Sequence, residues 1–135
     1  MAAATSDRNT ERRAGNNFAF PMKGGIRIRL GTLVVLSAGL ALSGRTGTGL
    51  VCVGIAEETV DNTSGTDSAQ TIKVRSGALW RFDNSGGADQ ITLADVGKSA
   101  YIVDDQTVAK TDGGNARSVA GTVRDVDTQG VWIAL

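Results

Sequence analysis

The chain has 135 residues, of which 41% are hydrophobic and 4% aromatic, and its formal net charge at pH 7 is zero. A chain of this length forms one domain with a single core. The absence of histidine removes the commonest general base, the usual catalytic triads and most zinc or copper sites. The one cysteine, Cys52, has no intramolecular partner and lies in an apolar run, where cysteine acts as a small hydrophobe. We therefore predict a protein that is not an enzyme and needs neither cofactor nor metal.

The zero net charge conceals an asymmetry along the chain. Residues 1–30 hold six basic and two acidic side chains, a net charge of +4, whereas the remaining residues hold eight basic and twelve acidic ones, a net charge of −4. A basic segment on an acidic body is expected to bind an acidic surface, and another copy of the same body is one such surface.

Residues 1–25 show no apolar periodicity and predict an extended basic N-terminal arm rather than part of the core. Phe18 and Phe20 are two residues apart, so both point to one side of an extended chain. We interpret the arm as an anchor on a partner surface, with simple terminal disorder as the alternative. The candidate interaction residues are its basic, aromatic and proline side chains: Arg8, Arg12, Arg13, Phe18, Phe20 and Pro21.

Residues 26–135 are predicted to form a single β-domain. Ile26, Ile28 and Leu30 alternate with arginines, which is the pattern of a half-buried strand. Three further runs predict strands, the last of them covered on both faces: Thr32–Leu36, Leu40–Leu42 and Leu50–Ile55.

The polar stretch 57–69 predicts an exposed loop. After it, Thr71–Arg75 and Ala78–Phe82 flank Ser76-Gly77, which predicts a hairpin whose Trp80 and Phe82 both point inward.

Leu93–Gly97 predicts one helical turn closed by glycine. The remaining strands are expected as two antiparallel pairs around polar turns: Ser99–Val103 with Thr107–Lys110, and Ser118–Val126 with Val131–Leu135.

Residues 26–135 are thus expected to form about eight to ten short strands at intervals of roughly ten residues. No helical segment is long enough for βαβ units. The fold class expected is all-β, a small β-barrel or sandwich of short strands with an extended N-terminal arm.

The uncharged run from Leu30 to Gly44 resembles the apolar part of a signal peptide. The segment before it is long and contains acidic residues, and Gly31 and Gly39 interrupt the run, so we favour strands over a leader. The run is also shorter than the roughly 20 residues that span a bilayer. No membrane association is expected.

The remaining chemistry-bearing residues fit turns better than catalytic sites. Asp104 and Asp105 are adjacent, so on a strand they face opposite ways, and Asp125 and Asp127 precede a glycine-containing turn. The loop 61–67 lacks the acidic spacing of a calcium loop. A direct role in nucleic-acid binding is not expected, because the body is acidic and aromatic platforms are scarce.

Several segments together resemble the capsid cement or decoration proteins of tailed bacteriophages and Mu-like prophages, over most of residues 25–135. The segments that carry the resemblance are Gly49–Glu58, Asp61-Asn62, Thr71–Gly77, Phe82–Ser85, Val96–Val108 and Ser118–Val123. The resemblance implies a virion structural protein, made in the host cytoplasm, that docks on the capsid exterior and stabilises it by bridging subunits of the major capsid protein. It also implies a homo-oligomer, with a trimer favoured and a dimer as the alternative.

Two other functions stay open on the sequence. One is a secreted or surface β-sandwich binding module, for instance for carbohydrate, in which the run Leu30–Leu42 is a cleaved signal. The other is a different virion component, such as a tail or connector protein.

Overall fold

A computed structural model describes residues 2–135, and the regular structure of that range is almost entirely β, which confirms the all-β prediction. Two 3₁₀ turns, at Gly87–Asp89 and Leu93–Asp95, interrupt the strands, and the second confirms the predicted helical turn. The described residues form twelve strands: β1 (Asn17–Pro21), β2 (Ile26–Ile28), β3 (Leu33–Ser37), β4 (Leu40–Ser43), β5 (Val51–Ala56), β6 (Val60–Asn62), β7 (Thr71–Arg75), β8 (Leu79–Asn84), β9 (Ser99–Ile102), β10 (Thr107–Ala109), β11 (Val119–Asp127) and β12 (Gly130–Ala134).

The strands divide into an N-terminal sheet and a C-terminal barrel. The sheet has the strand order β1-β7-β5-β3-β4, and β2 and β6 form a separate two-stranded ribbon. The last five strands close into a barrel in the order β10-β8-β12-β11-β9. Closure removes the exposed edges of these short strands.

Strand β3 lies between two hydrophobic cores because both of its faces are covered. Leu33 and Val35 pack with residues of the barrel, and Val34 packs in a second core that includes Ile28 of the ribbon. All three β3 side chains are fully buried. The sheet therefore joins the barrel on one face and the ribbon on the other.

The uncharged run that resembles a leader forms β3 and β4. Cleavage after Gly44 would remove four strands and buried side chains such as Leu33 and Ala41. In this fold the run is a central part of the body.

Strand β5 is covered on both faces only in its second half, so the prediction for Leu50–Ile55 is wrong for its first half. Val51 is 60% exposed, whereas Ile55 and Ala56 are buried. The register slips at Val53, because Val34 pairs with Gly54 while Val35 pairs with Cys52. Such a bulge bends the strand and separates its two halves.

The predicted hairpin of residues 71–82 is wrong. Strand β7 pairs with β1 and β5, whereas β8 pairs with β10 and β12. Ser76 donates its N–H to the Asn16 carbonyl and Gly77 donates to the Leu135 carbonyl, so these two residues carry the chain from sheet to barrel. The inward direction of Trp80 and Phe82 is correct, since both pack in the barrel core.

The two pairs predicted in the C-terminal half are confirmed as antiparallel neighbours, β9 with β10 and β11 with β12. The stretch 57–69 is not wholly a loop, because β6 lies within it and pairs with β2.

Candidate interaction surface

The predicted arm of residues 1–25 has two structurally different parts, which meet at Asn16. Met1 lies outside the described residues. Residues 2–15 are exposed and belong to no strand or helix, whereas β1 is a strand at the edge of the sheet. Beyond β1, Met22 is fully buried and forms a bridge with Ala41, and the N–H of Lys23 donates to the Ala41 carbonyl. The part of the arm outside the body is therefore residues 2–15.

Three of the predicted interaction residues form one stack. The Arg13 guanidinium carbon lies 5.5 Å from the centroid of the Phe18 ring, and the Phe18 and Phe20 rings stack with centroids 5.9 Å apart. Pairing of Phe18 with Val74 and of Phe20 with Ile72 places both rings on the sheet face that carries the second core. This stack holds the end of the arm, at Arg13, against the protein's own sheet.

The aromatic residues and the proline have different surroundings. Phe20 is half-buried and packs against the second core, which makes it a member of the body's own hydrophobic structure. Pro21 is exposed at the end of β1, where an edge strand tolerates a residue without an N–H. Arg8 and Arg12 are exposed and form no ion pair with the other described residues.

The outward side of β8, β12 and β11 forms a second candidate surface that the sequence reading missed. Phe82, Val131 and Ile133 are buried in the barrel, so Trp132, which alternates with the latter two, points outward. Its pairing partner on β8 is Arg81, whose guanidinium carbon lies 5.9 Å from the indole centroid. Val131, Trp132 and Ile133 are all apolar, so the sequence carries no alternation that shows which of them faces outward.

The indole N–H of Trp132 donates to the Asp127 carboxylate over 2.9 Å. The backbone N–H groups of Gln129 and Gly130 donate to the other carboxylate oxygen over 2.7 and 3.1 Å. These donors, the indole first, lower the pKa of Asp127. Asp127 thus keeps its charge while it orders both the turn and the tryptophan.

A groove of about 540 Å³ runs between the start of β5 and the start of β11, with Val51 and Val119 exposed beside it. Cys52 lies in the wall of this groove, and burial raises the pKa of its thiol to about 11, against a weaker opposing hydrogen bond from Gly54. The thiol is therefore protonated at neutral pH, which suits the predicted packing role and not nucleophilic chemistry.

Two other carboxylates connect separate segments of the chain. Asp61 accepts from Thr63 and pairs with Arg27 of β2, and both partners lower its pKa. Asp89 accepts hydrogen bonds from Thr111 and Arg117, which likewise lower its pKa.

Asp95 is buried and accepts from the Thr92 N–H over 2.8 Å, which is the main reason that its pKa is lowered. Its second oxygen lies 3.8 Å from the ammonium nitrogens of Lys98 and Lys110. Among the described residues, no group of three or more His, Cys, Asp or Glu side chains is placed to hold a metal ion.

No protein-family model, curated protein or solved structure matches this chain. In the described part of the chain no helix is long and apolar enough to cross a membrane.

Proposed function

We propose that this protein is a virion structural protein that docks on the outside of an assembled phage capsid and stabilises it by bridging major capsid subunits. The observation that carries the proposal is that the protein has two parts. One is a β-body with two hydrophobic cores, and the other is an exposed segment, residues 2–12, that carries Arg8 and Arg12 and is fixed to the body through Arg13 and β1. A body and an arm can contact different subunits of a shell.

The physical basis of the stabilisation is multivalency. A body of this size offers a contact of ordinary area, and an arm of eleven residues reaches up to about 35 Å further when extended. Repetition of the same contacts around a closed shell raises the overall strength of attachment without requiring a tight single contact. Ordering the arm has an entropic cost, which anchoring of its root at Arg13 reduces.

The alternative of a secreted module made by cleavage after the apolar run is disfavoured. Its mature form would lack β1–β4, and with them the buried residues that β3 contributes to both cores. A different virion component remains as an outcome that the binding experiment distinguishes.

The test is binding of the purified full chain to heads assembled without it, measured by co-sedimentation and imaged by electron microscopy. We expect saturable density on the outside of the shell and greater resistance of the heads to heat. Binding to tails or connectors but not to heads would assign the protein to another part of the virion, and binding to none of them would overturn a virion role.

The contribution of the arm is tested by deleting residues 2–12, which leaves Arg13 and β1 in place. A deletion that extends to Met22 would remove a strand and a buried side chain, and would confuse loss of binding with loss of folding. We expect the shortened chain to fold and to occupy fewer sites. The matched control, Asp7→Asn with Glu11→Gln, increases the positive charge of the same segment and should bind at least as well; undiminished occupancy by the shortened chain would remove the arm from the mechanism.

A further inference from the structure

The outward side of β8, β12 and β11, which we call the acidic barrel face, is defined by Arg81, Asp83, Asp125, Asp127 and Trp132. Asp125 pairs directly with Trp132, and Trp132 pairs with Arg81, so these three side chains form one row across the strands. Asp83 and Asp127 line a polar hollow of about 310 Å³ beside that row. The face therefore combines an outward indole with three carboxylates.

The charges of this face are only partly neutralised by the described residues, because Arg81 attracts Asp127 and leaves the other two carboxylates without a cation. Neither Asp83 nor Asp125 forms an ion pair with any described residue. Arg81, the one cation in the row, is held over the indole of Trp132. The whole segment 79–135 has five basic and eight acidic side chains, a net charge of −3, so the wider surroundings add to the negative potential.

One side of the arm has the complementary charge. Residues 2–12 have no net charge, because Asp7 and Glu11 offset Arg8 and Arg12. In an extended segment, however, Arg8 and Arg12 point to one side and Asp7 and Glu11 to the other. Arg8, Arg12 and Arg13 lie within six residues of one another, and the first two have no ion-pair partner in the described chain. Their fork of N–H donors matches a carboxylate, and guanidinium groups also stack on indole rings. An exposed segment without regular structure can follow the outward side of a barrel in extended form.

The root of the arm is directed away from the barrel of its own chain. Arg13 lies over Phe18, and Phe18 is on the same sheet face as Val74, which belongs to the second core. The barrel packs on the opposite face of that sheet, through Leu33 and Ile55. The stack thus holds the start of the arm on the sheet face opposite its own barrel, which favours contact of residues 2–12 with the barrel of a neighbour.

We infer that the acidic barrel face binds the arginine-bearing side of the arm of a second copy of this chain, with Arg8 and Arg12 paired to Asp83 and Asp125 beside Trp132. The protein then self-associates by exchange of arms between copies. This inference concerns contacts between copies and does not depend on capsid docking.

The test uses two full-length variants with opposite charge reversals. The arm variant carries Arg8→Glu and Arg12→Glu, and the face variant carries Asp83→Lys and Asp125→Lys. In each variant alone, residues 8 and 12 of the arm carry the same sign of charge as residues 83 and 125 of the face, so association between copies should weaken. In an equimolar mixture, the glutamates of one variant meet the lysines of the other, and the arginines of the second meet the aspartates of the first, so association should return.

Sedimentation velocity over a range of protein concentrations measures the association, and circular dichroism confirms that each variant is folded. Loss of one exposed ion pair is expected to weaken association up to about fivefold, and salt should weaken the unaltered protein as well. A control with the same charge change elsewhere on the barrel, Asp104→Lys with Asp112→Lys, should associate like the unaltered chain.

Three results would overturn the inference. The unaltered chain could stay monomeric at every concentration at low salt. The control could weaken as much as the face variant, which would show a general charge effect. The mixture could fail to restore association, as expected if each arm binds its own barrel.

Discussion

The Arg13 guanidinium lies over the Phe18 ring, 5.5 Å from its centroid, and Phe18 in turn stacks on Phe20. This relationship links an exposed segment to a buried core through two aromatic rings. The aromatic pair thus packs on the protein's own body, and its role as an anchor on a partner surface stays a prediction.

Replacing Arg13 with alanine is expected to free the residues just before β1 from their contact with Phe18. Cation–π contacts at exposed positions contribute about 0.5–1 kcal/mol, so the free energy of unfolding should fall by about that amount. Amide hydrogen exchange at Gly15 to Asn17 should become faster. The matched control is Arg12→Ala, whose side chain has no ring beneath it, and equal effects of the two variants would contradict the role of the stack.

Replacing Phe20 with alanine is expected to destabilise the body itself. Truncation of a fully buried phenylalanine to alanine lowers the free energy of unfolding by about 3–5 kcal/mol. Because Phe20 is half-buried, we expect urea unfolding to show a decrease of about 2 kcal/mol. Pro21→Ala, at the exposed neighbouring position, should change stability by less than about 0.5 kcal/mol. A Phe20→Ala variant of unchanged stability would show that Phe20 does not stabilise the body.

Gly54 is required where β5 passes β7. A Cβ at this position would lie 2.2 Å from the Arg75 carbonyl oxygen, and the backbone φ of +134° is one that residues with a side chain rarely adopt. Gly54→Ala should therefore cost more than about 3 kcal/mol, because the two strands must separate. Gly39→Ala, at a φ of +82° in open space, tests strain without a clash and should cost about 1–2 kcal/mol. Equal losses from the two substitutions would show that the close approach is unimportant.

Sequence periodicity predicted the strands whose pairing is local and failed where pairing is distant. The β11–β12 pair was predictable because the short polar turn Asp127–Gly130 separates two strand-forming runs, and both signals act within a few residues. The partners of β7 were not, since β1 precedes it by some fifty residues and no local signal identifies an edge strand that far away. The same limit applied to the site: Arg13, Phe18 and Phe20 were selected by type, but only the fold of β1 onto β7 shows that they contact one another.

Cys52 should be nearly inert to thiol reagents in the native protein, although it lies beside an open groove. Burial raises its thiol pKa to about 11, so the reactive thiolate is scarce at pH 7.5. Alkylation should be slow in buffer, should accelerate as the pH approaches 11, and should be fast in urea, where the chain is unfolded. Rapid labelling in buffer at neutral pH would mean that the wall of the groove opens.

Asp127 should make the stability of the barrel depend on pH. Its folded pKa is lowered, chiefly by the Trp132 indole and then by the turn N–H groups, so its contribution is present above the unfolded value of about 4 and is lost as the pH falls through the folded value. The difference in unfolding free energy between the unaltered chain and Asp127→Asn should be largest at pH 7 and should shrink towards pH 3. A double-mutant cycle with Trp132→Phe isolates the main donor: once the indole N–H is gone, Asp127→Asn should cost less than it does in the unaltered chain. Strict additivity of the two substitutions would show that the indole and the carboxylate act independently, and the ordering of the outward tryptophan would then need another cause.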